Sequence, residues 1–226
     1  MDQLYENVKR VKERIAEAAK RVGRKPEEIT ILYATKYASP ETVARLLEFE
    51  DKLIIGENYV QDAKKKFDEL RVLLGEEKWE RVEKHMIGTL QTNKVKKALE
   101  IFDVVHSVDS LKLAQKIDQK AGEMGKEVPV FVEVNAGEET KHGIKFDEID
   151  GFIAEMKKMG NIKVVGLMTM APHAEPESVR PMFRRLKDAC NRHGLKASMG
   201  MTNDFEVAIE EGSDIVRIGR AVFEGC

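Results

Sequence analysis

Apolar and polar positions along this chain fall into two alternating patterns. Leu4, Val8, Val11, Ile15 and Val22 recur at helical spacing among charges, which predicts one long amphipathic helix closed near Gly23 and followed by Pro26. Beyond it come short strand-like runs: "ITILYAT", "KLIIGE", "KHMIG", "DVVHSV", "VPVFVEVN", "IKVVGLMT", "LKASMG" and "DIVRIG". Helical patterns lie between them, among them "SPETVARLLEF", "NYVQDAKKKFDELRVLL", "TNKVKKALEIF", "SLKLAQKIDQKAGEM", "FDEIDGFIAEMKKM" and "ESVRPMFRRLKDACNRHG". Strict alternation of this kind predicts an α/β protein with a parallel sheet.

Eight such units in about 200 residues predict a (β/α)8 TIM barrel near the lower size limit of that fold, with the leading helix as an addition. An open doubly wound sheet is the alternative, but no GxGxxG follows the first strand. No linker or low-complexity stretch divides the 226 residues, so residues 1–226 are read as a single domain.

Composition narrows the partners. With 42% hydrophobic and 35% charged residues the chain reads as a compact soluble protein. Thirty-eight basic against forty acidic side chains leave a formal charge of -2, so no broad field invites nucleic acid or an anionic membrane, and any anion must be caught locally. The opening "MDQLYENVKRVKERI" lacks the apolar core of a secretory signal, and no segment approaches the roughly 20 apolar residues needed to span a bilayer. A cytoplasmic protein is expected. Cys190 and Cys226 make neither a disulfide framework nor a CxxC pair, so both read as free thiols and no metal site is expected.

In a parallel barrel the residues closing each strand surround the active mouth. Here they are Lys36, "GEN" at 56–58, "HMIG" with His85, "HSVD" with His106, "EVN" at 133–135, "LMTM" around Met168, "SMGMTND" and "RIGR". Lys36 falls on the face of Leu32 and Ala34, since side chains alternate along a strand. If that face points inward, Ala34 leaves space beneath a buried ammonium, burial lowers its pKa, and the neutral amine is the nucleophile that forms a Schiff base with a carbonyl. The plainer alternative is a lysine that snorkels to solvent.

At the other end of the chain, "SMGMTND" supplies Ser198, Gly200 and Thr202 ahead of a helical run beginning near Asn203, and "RIGRAVFEG" supplies Gly219 and the amide after it. Glycines permit close backbone approach, helix N-termini offer N–H groups to an anion, and the loops after strands seven and eight are the usual barrel phosphate site. Together with Lys36 they suggest a phosphorylated aldehyde. Arg217 shares a face with Ile215 and Gly219, opposite Val216 and Ile218. A desolvated guanidinium needs a partner. Either a salt bridge to Glu57 or Glu133, or the nitrogen of a pyridine ring, would serve.

"YATK", "GENYVQ", "HMIGTLQTNK", "HSVDS", "KHGI", "GLMTM", "SMGMTND" and "VRIGRAVFEG", in this order and spacing from about residue 2 to about residue 225, resemble the pyridoxal 5′-phosphate homeostasis protein family, the YggS/PROSC group. The resemblance implies a barrel like the N-terminal domain of bacterial alanine racemase, with pyridoxal 5′-phosphate held as an internal aldimine. Lys36 takes the aldimine position. Arg217 matches the arginine facing the ring nitrogen, and Ser198, Gly219 and Arg220, the last through its backbone amide, match the phosphate turns. Asn58 and Met199 fall on pocket-lining positions. Tyr37, the methionine of "KHMIG" at 86 and Thr202 depart from the family pattern, although Thr202 keeps a hydroxyl.

Two functions remain open at this stage. The favoured one is a carrier, with no catalytic residues of its own, that holds the cofactor and passes it to recipient apoenzymes. The chain closes soon after the last barrel unit, leaving no segment to supply a second acid/base group, and Arg217 cannot give up a proton to the ring. The other is an enzyme, either a racemase on amino acids or a Schiff-base aldolase, for which His85, Tyr59 and Lys141 are the candidate mouth residues. No dimer stripe stands out on the leading helix, so a monomer is expected.

Overall fold

A computed structural model of the chain describes residues 2–137 and 142–226. Its eight strands are β1 (Thr30–Ala34), β2 (Leu53–Glu57), β3 (Val82–Met86), β4 (Val104–Val108), β5 (Val128–Glu133), β6 (Ile162–Met168), β7 (Lys196–Ser198) and β8 (Ile215–Ile218). They close in sequence order, every neighbouring pair parallel, with β8 returning to β1. This is the TIM barrel expected from the alternation, and each of the eight runs supplies its strand.

The helices are α1 (Gln3–Arg21), α2 (Pro40–Arg45), α3 (Val60–Trp79), α4 (Val95–Ile101), α5 (Leu111–Glu123), α6 (Ile149–Met156), α7 (Arg180–His193), α8 (Phe205–Glu210) and α9 (Arg220–Phe223). Gly75, at φ 71°, breaks α3 into two pieces, because a left-handed residue cannot continue the helix and only glycine takes that geometry cheaply. The periodicity ends at Leu74, so the second piece, built of Glu76–Trp79, was not expected from it.

Two apolar layers result from strand alternation. Leu32, Val104, Phe131, Met168 and Ile215 fill the barrel, joined by the smaller Ala34 near its top. Tyr33, Ile55, Val105, Val130, Val216 and Ile218 face outward into the packing with the helices. Cys190 belongs to this outer layer, donates to the Lys196 carbonyl, and has its thiol pushed up to about 12 by burial, so it is held as a thiol; Cys226 is exposed and also free.

Helix α1 is stapled to the end of the barrel. Leu4, Val8, Val11 and Ile15 are buried as expected, whereas Val22 is the C-cap residue and lies 42% exposed, outside the stripe. Asp2 caps α1 by accepting from the Leu4 amide. The buried Asn7 amide group donates to the carbonyls of Val222 and Glu224 at 2.9 and 3.0 Å, and Arg14 pairs with Glu206 of α8 at 3.0 Å. Among the described residues no helix is long and apolar enough to cross a membrane.

Candidate functional site

A cavity of about 640 Å³ opens at the C-terminal end of the strands. Lys36, Asn58, Thr202, Arg217, Gly219 and Arg220 all line it, so six residues chosen from the sequence converge. Ser198, Met199 and Gly200 lie behind the wall. Ser198 is buried beneath Arg217, Met199 points into the outer core, and Gly200 packs against α8.

Lys36 departs from its expected setting. β1 ends at Ala34, Thr35 turns the chain, and Lys36 sits on the following turn, exposed rather than buried. Its ammonium is held above the ordinary lysine value, chiefly through a hydrogen bond with Tyr37. The amine lies 4.8 Å from the Tyr37 ring centroid and 5.4 Å from that of Tyr59, two cation–π contacts that further favour the charged form. The desolvated, pKa-lowered amine expected of strand alternation is therefore absent from this state, because alternation stops where the strand does. Tyr59 is thus a neighbour of the amine; Lys141 lies outside the described residues.

The turn bearing Lys36 is fixed from below. The Thr35 hydroxyl donates to Glu57 Oε1 at 2.7 Å, and Lys66 Nζ bridges Glu57 Oε1 at 2.6 Å and the Thr35 carbonyl at 2.5 Å. Glu57 is thereby satisfied by Lys66 and is no partner for Arg217.

Arg217 faces inward, 5% exposed, and burial lowers its pKa to about 10. Its partners are neutral: Nη1 donates to the Ser198 carbonyl and hydroxyl at 2.9 and 2.8 Å, and Nη2 to the Thr169 carbonyl at 2.7 Å. Neither Glu57 nor Glu133 forms the salt bridge considered above. Glu133, buried at the top of β5, has its carboxyl pKa raised by burial and by Asp109. Three of the five guanidinium N–H groups are used in these bonds, and the remaining two are free to meet a ligand in the cavity that Arg217 lines.

The loops after β7 and β8 are tied together opposite Lys36. Thr202 Oγ1 accepts the Ala221 amide at 3.4 Å, and Arg220 Nη2 donates to Asn203 Oδ1 at 3.1 Å. Gly200 has φ +96°, and a Cβ there would fall 2.6 Å from the Ala208 Cβ. Gly219 approaches β1 so closely that a Cβ would meet the Ala34 carbonyl at 3.0 Å. The helices that follow, α8 and α9, have six and four residues, so an anion held here would meet local N–H and hydroxyl groups rather than a helix dipole.

Sequence reading missed part of the wall. Pro172 and His173, in the loop after β6, line the cavity, as do Met170, Asp204 and Phe223, which lie within the quoted runs "LMTM", "SMGMTND" and "RIGRAVFEG" but were assigned no role. "APHAEP" offered only the general signal that a proline-bearing loop follows a strand. Gly88 was passed over too, although a Cβ there would strike the Asn58 carbonyl at 2.3 Å; this close approach seats Asn58 in the wall. His85, a candidate mouth residue, points into the barrel instead, where its Nδ1 lies 2.7 Å from His106 Nε2.

Residues 1–225 match the family described as "Alanine racemase, N-terminal domain". The chain is 40% identical to the pyridoxal phosphate homeostasis protein of Aquifex aeolicus, covering 96% of both chains. It is 35% identical to the protein of that name from Escherichia coli K12, covering 99% of this chain and 97% of that one. The PipY structure of Synechococcus elongatus PCC7942 with PLP bound superposes with a TM-score of 0.77 at 26% identity, covering 92% of this chain and 99% of that one.

Proposed function

Since this chain belongs to the alanine racemase N-terminal domain family, alongside the pyridoxal phosphate homeostasis proteins, we propose that it binds pyridoxal 5′-phosphate and serves in its intracellular homeostasis and delivery. The observation that carries this reading is the shared cavity, lined by the Lys36 amine, the unspent edge of Arg217 and the joined turns of Thr202 and Gly219. The donor set fits a phosphorylated pyridine aldehyde. An amine, a buried cationic donor and a glycine-lined cradle are the three features such a molecule requires, and a Cβ at Gly219 would crowd the cradle.

Within this reading Lys36 would hold the group through its aldehyde, the amine condensing with the carbonyl carbon as the carbonyl oxygen leaves as water. Before attack the ammonium must lose the proton that Tyr37 and Tyr59 favour, so association is expected to quicken as pH rises. Arg217 would orient the ring by donating to its nitrogen, and Thr202, with the Gly219 and Arg220 amides, would hold the phosphate. Ser198 and Gly200 act from behind, the first through Arg217 and the second by shaping the turn, while Met199 points away into the outer core. Asn58 bounds the pocket beside Lys36. Bound there, the cofactor supplies a conjugated electrophilic aldehyde.

Arg217 also bears on carriage against turnover. A guanidinium stays charged at any relevant pH and does not hand a proton to the ring, so the electron-sink character that amino-acid chemistry draws on is weak. We read the protein as a single-domain, monomeric, cytoplasmic carrier whose partners are the cofactor and recipient apoenzymes. Purified protein mixed with pyridoxal 5′-phosphate should turn yellow, and borohydride reduction followed by peptide mass mapping should place the pyridoxyl group on Lys36. A label on another lysine would overturn the site. Exchange of an α-hydrogen in deuterated water at roughly 1 s⁻¹ or faster with any L-amino acid would replace carriage with racemase-like catalysis.

A further inference from the structure

A chain of polar side chains runs down the interior of the barrel from Arg217 toward the opposite end. Arg217 Nη1 lies 2.8 Å from Ser198 Oγ, which lies 3.3 Å from His106 Nδ1. His106 Nε2 lies 2.7 Å from His85 Nδ1, and His85 Nε2 lies 2.7 Å from Glu83 Oε1. Four strands contribute: β8, β7, β4 and β3. Phe131 stacks on the His106 ring at 4.1 Å and 16°, which fixes the ring plane.

Hydrogen-bond chemistry gives this chain one direction. A guanidinium only donates, so Ser198 Oγ accepts from Arg217, which leaves its own hydrogen available to His106 Nδ1. His106 is fully buried and held well below the ordinary histidine pKa by that burial, hence neutral, so with Nδ1 accepting its proton sits on Nε2. That N–H donates to His85 Nδ1, and His85 Nε2–H donates to Glu83. The bond from His85, reinforced by Lys52, holds the Glu83 carboxyl down to about 2, so the chain ends on a pure acceptor. With one proton on each ring, the reverse order would set a lone pair of His85 Nε2 against a carboxylate oxygen 2.7 Å away. Glu83 therefore selects the tautomer of His85, His85 that of His106, and His106 the orientation of the Ser198 hydroxyl.

We propose that Glu83, His85 and His106 are positioning residues for the cofactor: their one-way chain keeps the Ser198 hydroxyl an acceptor for Arg217, and so holds the free edge of the guanidinium toward the ring nitrogen. The proposal rests on the pyridoxal phosphate reading above, but its first test does not. Protein labelled with ¹⁵N-histidine, as purified and after removal of any bound cofactor, should show both His85 and His106 at neutral pH as Nε2–H tautomers in long-range ¹H–¹⁵N correlation spectra. An Nδ1–H tautomer at either residue, or a doubly protonated His85, overturns the chain.

The second test is binding of pyridoxal 5′-phosphate itself. His106→Leu should raise its Kd about tenfold, the loss expected of a weakened charged hydrogen bond, whereas His106→Gln, which can accept and donate in the same order, should stay within about twofold of the unmutated protein. Glu83→Gln, at the half-exposed end and not dependent on repacking the interior, should raise Kd roughly threefold and blur the tautomer preference of His85. Unchanged affinity in both Glu83→Gln and His106→Leu, with the label still on Lys36, overturns the positioning role alone. Failure of the unmutated protein to bind the cofactor overturns the functional reading and the positioning role together, while leaving the tautomers to be read separately.

Discussion

Arg217 Nη1 donates both of its hydrogens to Ser198, one to the carbonyl at 2.9 Å and one to the hydroxyl at 2.8 Å. The contact closes a seam. β7 has three residues and pairs with β8 at Ser198 against Ile215, so beyond Ser198 the two strands are held by the Met199 amide on the Ile215 carbonyl, by the Arg217 amide on the Gly200 carbonyl and by this side chain. The same guanidinium reaches the Thr169 carbonyl just past β6. A residue read from the sequence as a ligand contact therefore also fastens three strand ends.

Arg217→Met should accordingly cost stability as well as binding. The variant strands buried acceptors on Ser198 and Thr169 while removing a buried charge, and the net is expected near 3 kcal/mol, or roughly 6 to 12 °C in Tm for a chain of this size. Thermal unfolding of the cofactor-free protein reads this directly; an unchanged Tm would mean the seam holds without the side chain.

Lys36→Ala should behave in the opposite way. Lys36 is exposed on a turn whose geometry is set by Thr35, Glu57 and Lys66, so stability should remain within about 0.5 kcal/mol of the unmutated value. The visible absorbance developed with pyridoxal 5′-phosphate should vanish. Paired denaturation and absorbance measurements separate the two effects.

Gly200→Ala should injure the phosphate turn selectively. The new methyl group must fit a left-handed backbone and a 2.6 Å approach to Ala208, and a cost of about 1 to 3 kcal/mol is expected. Displacing this turn moves Thr202, so affinity for pyridoxal 5′-phosphate should fall while affinity for pyridoxal, which lacks the phosphate, stays nearly constant. Equal losses for the two aldehydes would locate the phosphate elsewhere.

Glu133→Gln should stabilise the protein at neutral pH. Burial, with the neighbouring Asp109 charge, raises the Glu133 carboxyl above its ordinary value of 4.5. Between that value and the raised one the folded state binds more protons than the unfolded state, so stability is lost as pH climbs through this window. Removing the carboxylate should gain about 1 kcal/mol at pH 7, with the gain shrinking toward pH 4. Urea midpoints at the two pH values give the sign, and a larger gain at the acidic one would contradict it.

The barrel was legible because each strand is an apolar run bounded by polar helical sequence, and period-two alternation correctly turned Leu32 and Arg217 inward. What could not be read follows from events where periodicity stops. Lys36 lies two residues beyond Ala34, past the end of β1, so alternation no longer governed its side chain. The loop carrying Pro172 and His173 has no repeat to reveal its path over the cavity. The partner chosen by Arg217 depended on carbonyls at the ends of β6 and β7, and backbone acceptors leave no mark in residue identity. His85 and His106 were visible as strand-end histidines, but their mutual 2.7 Å contact is set by barrel closure.

The bond from Asn7 to the Val222 carbonyl joins positions 215 residues apart. During synthesis α1 emerges long before its anchor exists, and an amphipathic helix with an empty apolar stripe must wait, exposed, until α8 and α9 are made. Closure of β1 on β8 carries the same delay. Lys36 and Arg217 are therefore strangers for nearly the whole of translation, and completion of the cavity they line belongs to the last step of folding, when contacts of the longest sequence separation form together. A nascent chain stalled before Ile215 would already have β1 and its lysine but neither β8 nor Arg217 to complete the cavity.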